Sequence, residues 1–231
     1  RDFSGLADLP AVKLVAADPA STEAIKSHGS VRCAGICCDT DHKVNETHSY
    51  FSATGVAMFD YSNKKVVLTG GSSGVGAAAV EMIANLGCND ITVLDVNEPA
   101  GPATAYIPTD MSDPDSIDAA IAEIGDGVDV LFNNAGVAGV HEPDFVIRVN
   151  SLGPPRLTRG LLGGMSSGAA IVNTASIAGQ GWPDNLGAII ELLSIEDWEL
   201  ARDWVADHSD ITAGDPYAFS KQVVQVWTMQ A

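Results

Sequence analysis

Lys65-Val66-Val67-Leu68-Thr69, running straight into Gly70-Gly71-Ser72-Ser73-Gly74-Val75-Gly76, decides how this chain is read. The first five residues are an apolar run of strand length closed by glycines, the pattern of a strand buried on both faces. Residues 77–86 then have the composition of a helix, closed by Gly87 at a C-cap position. A strand that turns through glycines directly into a helix is the opening of a βαβ unit.

Downstream the alternation continues. Ile91-Thr92-Val93-Leu94 predicts a second strand and Tyr106-Ile107 a short third. Asp113-Pro114 reads as a cap followed by proline in the first turn, opening a helix that runs to Ile124. Residues 128–132 predict a fourth strand and 169–172 a fifth, with a helix over about 144–162 between them that Pro154 and Pro155 disturb. Strands alternating with helices make an α/β fold with a doubly wound parallel sheet.

The glycine turn sits where a dinucleotide fingerprint requires it, between strand and helix. Glycines allow a tight turn and let the backbone approach a pyrophosphate, which rests on the N–H groups of the helix that follows. An ordinary Gly/Ser turn is the competing reading. Asp95, at the end of the second strand, weighs against it, because a carboxylate there accepts hydrogen bonds from ribose hydroxyls. It also repels a 2′-phosphate, and the glycine turn contains no Lys or Arg to offset that. NAD is therefore expected over NADP, with a solvated surface Asp as the alternative.

The glycine spacing is G-x-x-x-G-x-G, with Gly70, Gly74 and Gly76. Together with Asn133-Asn134-Ala135-Gly136 after the fourth strand and Tyr217-Ala218-Phe219-Ser220-Lys221, it resembles the short-chain dehydrogenase/reductase family. The resemblance covers about residues 62–231. It implies a cofactor site made of Gly70, Ser72, Ser73, Gly74, Val75, Gly76 and Asp95. Asp110 and Met111 would flank the adenine, Asn134, Ala135 and Gly136 would line the cleft, and Tyr217 and Lys221 would reach the nicotinamide. It also implies a catalytic tetrad of Asn150, Ser176, Tyr217 and Lys221, all present.

Two spacings narrow the match. Thirteen residues separate Gly136 from Asn150, fewer than most relatives have, and 40 separate Ser176 from Tyr217, where most have about a dozen. Both resemble the branch that contains bacterial 3α-hydroxysteroid dehydrogenase/carbonyl reductase and coniferyl-alcohol dehydrogenase. Within the long segment, Leu186, Ile189, Ile190 and Leu193, then Trp198, Ala201, Arg202 and Val205, recur at helical spacing. A helical insertion over about 182–214 is predicted, its apolar stripe either covering a hydrophobic substrate or packing on another subunit.

The chemistry implied is transfer of a hydride between an alcohol carbon and nicotinamide, with a proton moved at the adjacent oxygen. A free tyrosine phenol, with a pKa of about 10, is a poor base near neutrality. Lys221 follows Tyr217 by four residues, one helical turn away on the same face, and its charge favours the phenolate. Tyr217 then takes the proton in oxidation or returns it in reduction. Ser176 would hold the substrate oxygen, and Asn150 would help position a water connecting Lys221 to solvent. The reading is an NAD-dependent alcohol dehydrogenase or carbonyl reductase. The alternatives are a non-catalytic NAD-binding sensor or scaffold on the same fold, and an NADP-dependent carbonyl reductase. His141 and His208 read as solvated loop residues.

Composition bounds the rest. The chain has 231 residues, 46% hydrophobic and 18% charged, which reads as globular. A net charge of −18 disfavours nucleic acid and anionic membranes as partners. The charge is uneven: residues 1–57 carry 7 acidic and 5 basic side chains, and residues 58–231 carry 23 and 7. No apolar run approaches the roughly 20 residues of a membrane span, and no signal-peptide pattern opens the chain, so a cytoplasmic location is expected. Cys33, Cys37 and Cys38 lie near His42 and His48, but their spacing matches no ordinary zinc pattern, so free thiols and no metal are expected. The partner implied is a small hydrophobic alcohol or carbonyl compound, with a homo-oligomer expected for the full-length protein.

Residues 1–57 show little periodicity beyond a weak helical stretch at 21–27, and are read as an irregular extension, upstream of or unrelated to a start at Met58. The catalytic domain then occupies 58–231 and is expected to be C-terminally incomplete, because family members continue past the lysine with further strands and helices.

Overall fold

The computed structural model describes residues 60–230. The predicted extension, the 21–27 helix, Met58 and the cysteines other than Cys88 lie outside the described residues. Five parallel strands form one sheet in the order β3-β2-β1-β4-β5, with β1 Lys65–Thr69, β2 Asp90–Asp95, β3 Ala105–Pro108, β4 Val130–Asn133 and β5 Ala170–Asn173. Val66 pairs with Ile91 on one side and Val130 on the other, which places β1 at the centre. A central strand buries both faces, and that accounts for its unbroken apolar run.

Alternate residues of β1 serve opposite layers, as the two-residue period of a strand requires. Val66 and Leu68 pack with Ile91, Val93, Val80 and Ile83, the last two from α1 Gly74–Asn85. Val67 faces the other way, onto Ile117, Ala120 and Ile124 of α2 Pro114–Ile124 and Leu157 and Leu161 of α4 Gly153–Leu162. Asp113 caps α2 by accepting the Asp115 N–H at 3.0 Å, with Pro114 in the first turn.

The predicted helix over 144–162 is present but not uniform. It runs as α3 Pro143–Ile147, a π turn over Arg148–Leu152, and then α4. Pro154 and Pro155 have no N–H, so the ladder cannot continue in α register across them. The Gly153 N–H instead reaches back five residues, to the Arg148 carbonyl. The prolines thus start a new helix rather than ending the old one.

After β5 a 3₁₀ segment, Ile177–Asn185, leads to α5 Leu186–Ser194, α6 Trp198–Asp207, the short α7 Ser209–Thr212 and α8 Pro216–Gln230. The apolar stripe of this region was expected to meet substrate or another subunit. Its inward residues instead complete a core within this chain: Ile189, Leu192, Ala201, Trp204 and Val205 pack on Ile147 and on Phe219, Val223 and Val226 of α8. Leu186, Ile190 and Leu200 remain exposed. Arg202 faces Asp144 and Glu199 rather than the core, and its link to Asp144 ties α6 to α3. Among the described residues, no helix is long and apolar enough to cross a membrane.

Phe219 is 1% exposed and central to this third cluster. Phe219→Ala is expected to lower stability by about 3–5 kcal/mol. Leu200→Ser, on the outer face of α6, is expected to cost about 0.5 kcal/mol or less. Urea unfolding of the two variants checks the difference.

Candidate functional site

Parallel strands finish on one side of the sheet, and a cleft opens there where the connections from β1 and β4 diverge to opposite faces. It measures about 580 Å3, within the range of small-molecule sites. Its walls include Gly70, Ser72, Ser73, Gly74, Val75, Gly76, Asp95, Asp110, Met111, Asn134, Ala135, Gly136, Tyr217 and Lys221. Every residue that the sequence analysis assigned to the cofactor therefore lies on one surface.

The glycine turn is shaped by two close approaches. Gly70 has φ of 72°, and a Cβ there would stand 2.7 Å from Ala135 Cα. A Cβ on Gly76 would overlap the Gly70 carbonyl oxygen, so the helix starts hard against the turn. The predicted helix start at 77 moves to Gly74. Ser73 makes no side-chain cap, and the first turn of α1 carries no acidic residue. The first amides of α1 are thus free for an anion, unlike those of α2, where Asp113 takes one. This glycine cradle and uncapped helix start fit the pyrophosphate of a nicotinamide dinucleotide.

Asp95 is held in place by both its oxygens. Oδ2 accepts the Ser72 N–H at 3.0 Å and Oδ1 accepts the Asn97 N–H at 3.0 Å. The carboxylate is thereby pinned to the glycine turn. Asp110 is fixed in the same manner, its Oδ1 accepting from the N–H and hydroxyl of Ser112 at 2.8 and 2.7 Å. Met111 is buried in the core beneath it. Across the cleft, Thr69 Oγ1 accepts the N–H groups of Asn134 and Ala135 at 3.0 and 2.9 Å, and Asn134 Nδ2 donates to the Gly70 carbonyl at 3.3 Å.

The other side of the site belongs to α8. Asp215 accepts the Ala218 N–H at 2.9 Å, as a cap at the helix start. Tyr217 and Lys221 lie one turn apart, with Lys221 Nζ 5.8 Å from the Tyr217 ring centroid. Lys221 is 5% exposed and donates to the Thr174 carbonyl at 2.8 Å. Burial pushes its ammonium down from the ordinary 10.5 to about 8.

Asn150 sits in the π turn and is 1% exposed. Its Oδ1 accepts the Val137 N–H at 2.8 Å, while Nδ2 donates to the Val137 carbonyl and Ser220 Oγ, each at 3.0 Å. The side chain is thus fully committed to locking the loop after β4 onto α8. Its main-chain carbonyl is different, because the residues four and five positions on are Pro154 and Pro155, which cannot donate. Ser176 opens the 3₁₀ segment, and its Oγ accepts the Ala178 N–H at 3.2 Å. Asn150 is buried and Ser176 half-buried, and each is bonded to α8, Asn150 through Ser220 and Ser176 through Gln225.

The cleft also contains residues that the sequence analysis did not assign, among them Asn97, Thr109 and Thr174. Each lies just past a strand end, so the rule that parallel sheets bind ligands at those ends would have found them. Phe145 and Val149 carry no such signal, since α3 and the π turn bring them in from the side.

The family pattern described as short chain dehydrogenase matches residues 64–186, more than half of the chain. Coniferyl-alcohol dehydrogenase from Pseudomonas sp. is 35% identical, over 72% of this chain and 65% of that protein. An uncharacterized oxidoreductase of Mycobacterium bovis is 33% identical, over 55% and 46%. Among solved structures, the 3-alpha-hydroxysteroid dehydrogenase from Pseudomonas sp. B-0831, complexed with NADH, has a TM-score of 0.57 and 25% identity, over 71% of this chain and 64% of that one. The chain spans between about half and two thirds of the length of these relatives. The first and third also agree with the branch that the long Ser176–Tyr217 spacing resembles. With a matching family pattern and a parallel sheet of the same kind around the glycine turn, the chain belongs to the short-chain dehydrogenase family.

Proposed function

We propose that this chain is the catalytic core of an NAD-dependent oxidoreductase that interconverts a secondary or aryl alcohol and its carbonyl compound. The observation that carries this is the meeting of Tyr217 and Lys221 with the glycine turn around one cleft. Nicotinamide, when bound, supplies the acceptor or donor of the hydride. The protein's part is to bind, to orient and to move one proton. Tyr217 accepts the proton of the alcohol oxygen during oxidation and returns it during reduction. Ser176 holds the same oxygen by a hydrogen bond from its hydroxyl, which keeps its proton; Oγ accepts the Ala178 N–H, which fixes its direction.

Lys221 keeps a positive charge beside the phenol, anchored by the Thr174 carbonyl. Asn150 supports a water path from Lys221 to solvent through its main-chain carbonyl, to which Pro154 and Pro155 cannot donate. Asp95 selects NAD, because a carboxylate pinned to the glycine turn would meet a 2′-phosphate with like charge. Among the described residues lining the cleft, Lys221 is the single cationic side chain, and it lies at the catalytic end. For the substrate, two relatives are named for a phenylpropanoid alcohol and a hydroxysteroid, which supports an apolar, ring-bearing compound. Val140 and Ile177 are 87% and 57% exposed, and each adjoins a residue of the reacting end. Val140 follows Gly139, whose Cβ position is 3.1 Å from Tyr217, and Ile177 follows Ser176. The same reading includes assembly as a homo-oligomer and, given the net charge of −18, neither nucleic acid nor membrane as a partner.

Turnover of coniferyl alcohol and a 3α-hydroxysteroid with NAD+ tests the proposal. Tyr217→Phe is expected to lower kcat by about 100-fold or more while NADH still binds, read by its fluorescence. NADH binding without turnover of either probe would favour a sensor. The wild type is expected to prefer NAD over NADP by about 100-fold in kcat/KM, and Asp95→Ala to erase most of that preference. Equal use of both by the wild type would assign the chain to the NADP-dependent reductases instead.

The lysine has a separate signature in stability. Its folded pKa of about 8 lies below its ordinary 10.5, so the unfolded chain binds more protons between those values. Stability therefore rises with pH through that window, and below it the cost of burying the charge is fully present. Lys221→Met is expected to lose this rise, on the order of 3 kcal/mol. Unfolding midpoints of cofactor-free wild type and variant from pH 7 to 10.5 would run in parallel if the lysine did not titrate so.

A further inference from the structure

Forty residues of chain separate Ser176 from Tyr217, so covalent connection does not set the distance between them. That distance depends on direct contact between the segment leaving β5 and α8. Lys221 donates to the Thr174 carbonyl, Asn173 Nδ2 to Thr228 Oγ1 at 2.9 Å and Asn185 Nδ2 to Gln222 Oε1 at 2.8 Å. The tie from α8 that reaches Ser176 itself is made by a residue outside the tetrad: Gln225 Nε2 donates to the Ser176 carbonyl at 2.8 Å. Gln225 follows Lys221 by four residues as Lys221 follows Tyr217, so the three form one stripe along α8. A carbonyl only accepts, which obliges the carboxamide to present its nitrogen.

The backbone is shaped for this tie. A Cβ on Gly179 would stand 2.6 Å from the Lys221 carbonyl oxygen and 2.8 Å from Gln225 Nε2, so the 3₁₀ segment lies directly on α8 at this level. Gly179 also donates its N–H to the Ser176 carbonyl at 3.0 Å. The serine is thereby held by its carbonyl from α8 and by its hydroxyl from Ala178.

We propose that Gln225 is a positioning residue for catalysis, fixing Ser176 against the Tyr217–Lys221 helix where the long insertion cannot. The inference rests on the reading of Ser176 and Tyr217 as the residues that contact substrate. Without the tie, Ser176 keeps only bonds within its own segment, and its hydroxyl samples positions away from the substrate oxygen. A displacement of about 1 Å at a reacting group costs about 100-fold in rate, and a loosened one costs less.

Gln225→Met preserves length and removes the donor. With NAD+ and coniferyl alcohol or a 3α-hydroxysteroid as probes, kcat is expected to fall about tenfold, and KM for NAD+ to stay within about twofold. Amide hydrogen exchange across residues 174–181 of the full chain is expected to quicken about tenfold. The deciding measurement is the double variant. If Gln225 acts through Ser176, then adding Gln225→Met to Ser176→Ala lowers kcat no further. Gln225→Glu serves as a second variant where the first folds poorly, with a loss at least as large because its carboxylate repels the carbonyl. Additive losses, or unchanged exchange across 174–181, would overturn the proposal. A wild type that turns over neither probe defeats the dehydrogenase reading and this role with it. A wild type that turns over, matched by Gln225→Met, defeats the role of Gln225 alone.

Discussion

The hydroxyl of Thr69 holds together the point from which the rest of the molecule is organised. By accepting two backbone N–H groups from Asn134 and Ala135, it joins the end of β1 to the end of β4 at the place where their connections part to opposite faces. The loops then come so close that Gly70 has no room for a Cβ beside Ala135. Amides withdrawn from water are costly without partners, and this one side chain accepts from two of them, of which Asn134 also reaches the Phe132 carbonyl at 3.1 Å. The glycine turn on one side and the Asn134–Gly136 segment on the other form the cleft because this knot sets their separation.

A second dependence runs through the proline pair. Pro154 and Pro155 prevent α register from continuing through the helix that precedes them, and the π turn over Arg148–Leu152 is the consequence. Such turns rotate side chains relative to a straight helix and recur at functional sites. Here the turn contains Asn150, whose amide clamps Val137 on one side and Ser220 on the other. Ser220 in turn donates to the Tyr217 carbonyl at 2.7 Å. A local defect in one helix is thus tied to the loop after β4 and to the first turn of α8.

The helices between Ser176 and Tyr217 show how a strong sequence pattern can leave its partner undecided. Their apolar stripe is visible in the spacing of Ile189, Leu193, Trp198, Ala201 and Val205. That spacing does not say what the stripe meets, since substrate, subunit and core all bury it equally well. The structure turns most of it onto α8 and Ile147, where Phe219 and Trp204 fill the space between. Leu193 is partly buried against this cluster, and Trp198 packs instead with the core between sheet and helices α2 and α4.

Much of this protein was settled by local rules that sequence alone obeys. Five strands, a parallel doubly wound sheet, a glycine turn at the first strand end and a Tyr-to-Lys step of one helical turn all follow from periodicity, backbone sterics and chain direction. The fourteen residues that the family resemblance assigns to a cofactor line one cleft, because a parallel sheet has one ligand-binding end and each lies near it or on α8. Other features depend on residues distant in the chain arriving together, and no local rule reports them. The Thr69 knot, the full commitment of the Asn150 amide, the burial of Lys221 and the tie from Gln225 to Ser176 are of this kind. Each is a hydrogen bond or a desolvation that exists only once strands, π turn and α8 have packed, and packing, unlike periodicity, is a property of the whole chain.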